Sequence, residues 1–344
     1  MNSYAVKGTI LLICCMALFL NFSALPVTES VTRTVGRHYQ NSDRLISSYG
    51  DERRDSSPIL LESMGQYMEY LLLADDQKGF EEQFQLLQEH FAVEQAGEIH
   101  LKWQIGENIS TNASVDDFRI IEVLMAGGEK FHDAAYTDLA EQIWDTMIRT
   151  QLTDGLITDF YDRSWKQQSS EMHLSYINFT VLEDMRAPNL EEYKRILRGG
   201  QTDTPFFIEI YHPRDKSYHT ADPETVNMID QFLIAMQYVK STNETPSKFH
   251  DWLQKQAKAD NVLHGRYNRT TAAPASSYES SSVYALAVLY SLAVHDQEMA
   301  DEWFLKLQKQ APMQASPSYT DIHFFDYMYA SYAARLYEAG RSSH

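Results

Sequence analysis

The chain has 344 residues, 44% hydrophobic and 22% charged, a balance that excludes a disordered polymer and leaves enough apolar surface for a large core. Its 48 acidic residues outnumber 29 basic ones, and the formal charge of -19 repels nucleic acid and anionic surfaces while favouring a neutral or cationic ligand. Rings are abundant, with 21 Tyr, 16 Phe and 5 Trp, and flat rings suit both cores and sugar faces.

The first element is a leader over residues 1–28. After Lys7 no charge occurs until Glu29, and the densest apolar run spans Ile10 to Leu20. Such a short run resembles the apolar region of an export signal, while Phe22 and Ala24 make a poor small-x-small cleavage site, so residues 8–28 are expected either to be removed or to stay as a membrane anchor. Either way the folded part is expected outside the cytoplasm. The only cysteines, Cys14 and Cys15, lie here, which leaves the remainder without a thiol, a disulfide or a cysteine metal site.

From residue 29 to 344 no Gly/Pro/Ser-rich linker divides the chain, and one domain is expected. Apolar residues recur at helical spacing in a dozen segments that begin near residues 29, 58, 79, 114, 133, 171, 189, 223, 244, 277, 297 and 319. Ser57-Pro58, Asp222-Pro223, Thr245-Pro246 and Ser318 carry cap or first-turn chemistry. Short β-like pieces of one kind, DRLISSYG, DGLITDFYD and NVLHGRYN, follow some helices as a degenerate repeat. Twelve helices joined in this way predict an all-α fold, an (α/α)6 barrel of six helical hairpins. Residues 58–75, 117–127 and 282–294 are the most apolar segments and are expected in the inner ring. In the first of them Glu62, Gln66 and Glu69 share a polar stripe that is expected to face a central cavity.

In a closed ring the amino ends of the inner helices surround one mouth, so acids placed there converge. Glu62, Asp116, Asp117, Asp222 and Glu279 all occupy predicted helix starts. Each also has a plain structural explanation, because acids near helix starts are favoured by the macrodipole, and Asp222 or Glu279 with Ser276 suits a cap. Glu62 is distinctive, since PILLE sets it behind large aliphatic residues where little solvent would stabilise its charge. Asp117 is expected as its charged neighbour. One protonated and one ionised carboxyl across a cleft is the chemistry of glycosidic hydrolysis. Trp103, Tyr161, Trp165, Tyr176, Tyr218 and Tyr278, on loops near helix ends, are candidate sugar platforms or ordinary packing residues.

These segments resemble glycoside hydrolase family 8. LLESMGQYMEYLLLADDQKGFEEQFQLL is similar to the family's catalytic-acid region, ASVDDFRIIEVLMAGGEKF to its next inner helix, and SSYESSSVYALAVLYSLAVHD to a late inner helix. The resemblance implies that Glu62 is the general acid, that Asp117 contacts the sugar beside the scissile bond, and that Asp222 in SYHTADPETVNMID is the general base of an inverting reaction. It also implies a polysaccharide substrate and, for the divergent branch, association with bacterial exopolysaccharide production. The chain departs from the family pattern at Val115-Asp116-Asp117, where Asp-Gly-Asp is usual, and in lacking an Arg after Asp222.

RGGQ at Arg198 to Gln201 reads as a helix stop, and no strand, Gly-rich loop and helix occur in the order a nucleotide fold needs. The histidines, His212, His219 and His323 among them, lack metal-ligand spacing, so neither metal nor cofactor is expected. Two other functions compete with hydrolysis. One is a noncatalytic polysaccharide-binding component of an envelope assembly; the other is a polysaccharide lyase, disfavoured because a uronate substrate wants cationic walls.

Overall fold

The computed structural model describes residues 30–342; the expected leader lies outside the described residues. Twelve α-helices follow one another: α1 (Val31–Thr34, continued by a π turn over Val35–Tyr39), α2 (Leu61–Ala74), α3 (Gln77–Leu86), α4 (Ser114–Phe131), α5 (Ala134–Thr150), α6 (Phe179–Asp184), α7 (Leu190–Gly199), α8 (Met228–Thr242), α9 (Ser247–Lys258), α10 (Ser281–Ala293), α11 (Gln297–Leu307) and α12 (Phe324–Ser342). The even-numbered helices touch in order from α2 to α12, and α12 closes on α2. The odd-numbered helices pack outside them. This is the (α/α)6 barrel expected from the periodicity.

Composition sorts the two layers. α10 buries residues on every face, from Ser281 through Val288 and again at Tyr290 and Ser291, because an inner helix meets two ring neighbours and the outer layer at once. α7, an outer helix, buries only Tyr193, Ile196 and Leu197. Local chemistry sets many boundaries. Asp76, Asp133, Asn178, Asn227 and Asp296 each accept a backbone N–H as N-caps, and Asp75, His132 and Asn243 end α2, α4 and α8 in the left-handed conformation.

Short antiparallel strands gather in the loops: β1 (Ala92–Gln95) with β2 (Glu98–Leu101), β3 (Leu152–Thr153) with β4 (Leu156–Ile157), and β5 (Tyr161–Asp162) with β6 (Gln167–Gln168). β7 (Met172–His173), β8 (Ile210–His212) and β9 (Ser217–His219) form a three-stranded sheet, and β10 (Thr225–Asn227) pairs with β11 (Arg266–Asn268). The DGLITDFYD and NVLHGRYN pieces do supply strands, and residues of DRLISSYG form bridges, Gln40 with Ile46 and Ser47 with Ile59.

Three expected helix starts move. The segment from 171 begins as β7 and a 3-10 turn, and α6 starts only at Phe179. Asp222-Pro223 does not open a helix, because Thr225–Asn227 pair with Arg266–Asn268 and α8 begins at Met228. α12 begins at Phe324 rather than near 319. In each case pairing with sequence-distant chain sets the start, and at Asp222-Pro223 and Ser318 it overrides a local cap signal. Backbone bonds from Leu61 to Trp103, from Ile105 to Ile59 and from Ser114 to Asp159 knit the loops to the amino ends of α2 and α4.

Candidate active site

Glu62 lies in the first turn of α2, Asp116 and Asp117 in that of α4, and Asp230 in that of α8. Because the inner helices run the same way, these turns share one end of the ring. Tyr176, on the loop before α6, reports their convergence: its hydroxyl is pushed up to about 12, by burial first and then by the charges of Asp159, Asp230, Asp116 and Glu62.

Burial raises the Glu62 carboxyl above the usual range, and Arg119 opposes this only in part. Asp116 is raised well above its ordinary value by burial, by the neighbouring Glu62 charge and by Asp117, with Arg119 again opposing. Two acids this close cannot both ionise cheaply, so a proton is retained between them. Arg119 explains why the pair is tolerated. Its Nη1 donates to Asp116 Oδ1 at 3.3 Å, and its Nε lies 3.9 Å from Glu69 Oε1. Gly65 makes room for it: a Cβ there would lie 2.8 Å from Arg119 Cδ.

The expected neighbour of Glu62 was Asp117, but Asp116 takes that place. Consecutive helical residues diverge by about 100°, and Asp117 turns to Asn112, whose amide also donates to Gln151 Oε1 at 2.8 Å and whose Oδ1 accepts from Tyr161 N at 2.6 Å. Burial holds the Asp117 carboxyl at about 7.

On the facing loops Asp159 accepts from both the backbone N–H of His173 and its Nδ1, at 2.7 and 2.6 Å. Burial pulls the imidazole down, yet Asp159 outweighs it and the net shift is upward. Tyr176 stacks on this ring at 5.1 Å and 28°. Asp230 is raised by burial, while Ser175, His173 and Arg266 favour its ionised form. Asp159, Glu171 and His173 each bring one donor atom within 4.8 Å of the others. His173 Nδ1 and Asp159 Oδ2, 2.6 Å apart, form a direct Asp–His pair within this group.

The remaining predicted residues divide by place. Asp222 sits in the turn between β9 and β10, partly exposed, where Oδ1 accepts from the N–H groups of Glu224 and Thr225, both at 2.8 Å; those bonds lower its pKa. No interaction among the described residues joins it to Glu62. Trp103 is 36% exposed beside the start of α2, and Trp165 is 80% exposed in the turn between β5 and β6. Tyr161 stacks on His100. Tyr218 is occupied elsewhere, donating to Ile196 O at 2.9 Å and lying edge-on to Tyr211. Tyr278 is exposed, and the neighbouring Glu279 accepts from the Tyr284 hydroxyl at 2.6 Å; the expected link of Glu279 to Ser276 is absent because Ser276 Oγ accepts from Arg266 N. Sequence reading missed Arg119, Asp159, His173 and Asp230. Only Asp230 carried a findable signal, an acid just inside an apolar helix after an Asn cap.

No protein-family model matches the chain. It is 33% identical over 251 residues to a Bacillus subtilis (strain 168) protein named "Putative lipoprotein YdaJ", covering 70% of this chain and 67% of that one. The structure of PssZ from Listeria monocytogenes superposes with a TM-score of 0.82 at 31% identity, over 90% of this chain and 96% of PssZ. A Clostridium perfringens protein described as a novel alpha-amylase superposes at 0.77 with 18% identity, over 89% and 96%. The Klebsiella pneumoniae endoglucanase Cel10, a family 8 glycosyl hydrolase, gives 0.64 at 12%, over 88% and 96%. The chain belongs to the family of YdaJ and PssZ, and it has the barrel fold of family 8 glycosyl hydrolases. Family 8 neighbours at such low identity share the barrel, and the side chains at its mouth must be read from this chain's own geometry.

Proposed function

We propose that the protein is an exported glycoside hydrolase that cleaves a polysaccharide by inversion, with Glu62 as general acid and Asp230 as general base. The observation that carries the reading is the raised, protein-enclosed Glu62 carboxyl beside Asp116 and Arg119, sharing one mouth with a second carboxyl on the facing helix. Glu62 donates its proton to the departing glycosidic oxygen. Asp230, raised by burial while Ser175, the Asp159-paired His173 and Arg266 favour its ionised form, takes a proton from the attacking water. The Tyr176 hydroxyl, among all four carboxyls, orients that water. Inversion expects the two catalytic carboxyls roughly 6.5–9.5 Å apart. Asp116 holds a sugar hydroxyl next to the scissile bond, and Trp103, Tyr161 and Trp165 offer faces along the cleft.

The base is assigned to Asp230 rather than Asp222, since the Asp222 carboxylate is engaged by its own turn. A name that reads lipoprotein on the Bacillus subtilis relative, together with the apolar run at residues 8–28, supports export with retention at the outer membrane face. Among the described residues no helix is long and apolar enough to cross a membrane, which leaves any anchoring to that leader. Resemblance to the exopolysaccharide-associated branch of family 8 makes a bacterial exopolysaccharide the first substrate to try.

The test is product analysis on purified exopolysaccharides, β-glucans and α-glucans with Glu62→Gln, Asp230→Asn and Asp222→Asn. The first two should lower cleavage by about 10²–10⁴-fold with the fold retained, and Asp222→Asn should stay near the parent. Full activity in Glu62→Gln removes the assignment. Saccharide binding without release of reducing ends by the parent would establish the noncatalytic alternative.

A further inference from the structure

The catalytic carboxyls occupy first turns, and a cavity of about 530 Å³ runs from Val115, Ser175 and Tyr176, beside those turns, through the ring to open at its other end. Its exposed rim includes Lys240 and Asn243 at the end of α8 and Ala293, the last residue of α10. α6 explains the opening. With six residues it is about 9 Å long, against about 27 Å for the eighteen-residue α4, so the wall between α4 and α8 is short.

The walls balance charge. Glu69 faces Arg119, and Glu122 Oε1 lies 3.6 Å from Lys240 Nζ. Protein surrounds Glu69 closely enough for burial to hold its carboxyl at about 7, yet 32% of its side chain is accessible from the cavity. Tyr329 and Tyr332 of α12 add aromatic surface. Gln66 lines the inner end, 4% exposed, and neither its amide nitrogen nor its oxygen has a partner among the described residues. A buried amide with all its hydrogen-bonding capacity unused is costly, unless something in the cavity engages it.

We propose that this cavity is a second saccharide site, for a neutral mono- or disaccharide, whose mouth opens at the end of the ring opposite the catalytic acids and whose inner end reaches Tyr176. A polyol both donates and accepts, which matches carboxylates, guanidinium, ammonium and a free amide on one wall set. Its apolar ring faces suit the tyrosines. A net anion would meet Glu69 and Glu122, and a net cation would meet Arg119 and Lys240. The volume falls within the roughly 300–1,000 Å³ of small-molecule sites. Arg119 lies between this cavity and the Glu62–Asp116 pair, so a sugar held here sits one side chain from the chemistry. The sugar class rests on the glycosidase reading; the existence of the site does not.

The experiment is saturation-transfer NMR and calorimetry on the purified full chain with glucose, galactose, N-acetylglucosamine, cellobiose and maltose. At least one should bind. Ala293→Trp, which plugs the mouth, and Lys240→Met, a surface change that preserves the fold, should each weaken binding by about tenfold, while Trp103→Ala at the other end should leave it unchanged. Absence of binding by every probe overturns the proposal, as does binding that Trp103→Ala abolishes and Lys240→Met spares. Polymer cleavage measured alongside keeps this result separate from the fate of the hydrolase assignment.

Discussion

Burial raises the Glu62 carboxyl and Arg119 opposes this in part, while the Glu62 charge in turn helps to raise Asp116; Arg119 is divided between Glu69, Asp116 and Glu62 itself. Activity should therefore fall as pH rises through the raised Glu62 value, when the acid is lost, and fall again at low pH as Asp230 protonates. A pH–rate profile checks this, and an alkaline limb that persists unchanged in Glu62→Asp at the same midpoint would point to another acid. Asp117 belongs to a different environment. Its shift from 3.8 to about 7 at 1% exposure means that ionising it opposes folding, at about 1.4 kcal/mol per unit or a few kcal/mol in all. Asp117→Asn should therefore be more stable than the parent at pH 8 and little changed at pH 4, measured by urea unfolding. Equal destabilisation at both pH values would show that the Asn112 bond matters more than the buried charge.

At the scale of elements, two contacts hold the mouth in shape. α2 and α4 approach closely at Gly65, where a methyl group would drive Arg119 off the acids. Gly65→Ala should cost about 1–3 kcal/mol of stability and reduce activity, whereas Gly340→Ala, with nothing within 4 Å, should be neutral or slightly stabilising. The second contact is a buried ion pair. Arg269 donates to both oxygens of Glu209 at 2.7 and 2.9 Å and also to the carbonyls of Phe207, Asp222 and Thr225, which ties β8, the turn after β9 and β10 into one loop system in front of α8. Removing one partner strands a charge, so Arg269→Ala should cost about 3–5 kcal/mol and misplace Asp230; calorimetric unfolding and activity read the two effects. This clamp is also why α8 starts late. Asp222 and Pro223 look like a helix start in isolation, but the Arg269 bonds to the Asp222 carbonyl and the β10–β11 pairing fix that stretch as turn and strand.

Across the whole molecule the buried acids dominate the pH response. Glu62, Glu69, Asp116, Asp117, Glu209 and Asp230 are all raised, so the folded state binds more protons than the unfolded chain from about pH 4 to about 7. Stability should thus decline as pH rises through that window. The lowered carboxyls, Glu52, Glu192, Asp222, Asp260 and Asp301, act in the opposite sense below their ordinary values, but they lie near the surface, where solvent screens them. A melting temperature higher at pH 8 than at pH 5 would contradict this account.

Helical periodicity alone gave the twelve segments, the pairing into six hairpins and the polar stripe of Glu62, Gln66 and Glu69, because amphipathic spacing is a local consequence of which side must be buried. The same local logic marked Glu62, an acid set among aliphatic residues. It pointed to Asp222 for the second carboxyl, where we propose Asp230. Which of the two stands in the first turn of α8 depends on where α8 begins, and that is decided by Arg266–Asn268, some forty residues further along the chain. Local logic did not reveal Arg119 or His173, whose partners come from other helices and loops. Spacing along a chain records which face is apolar, but proton affinity depends on neighbours in space, and only closure of the ring supplies those.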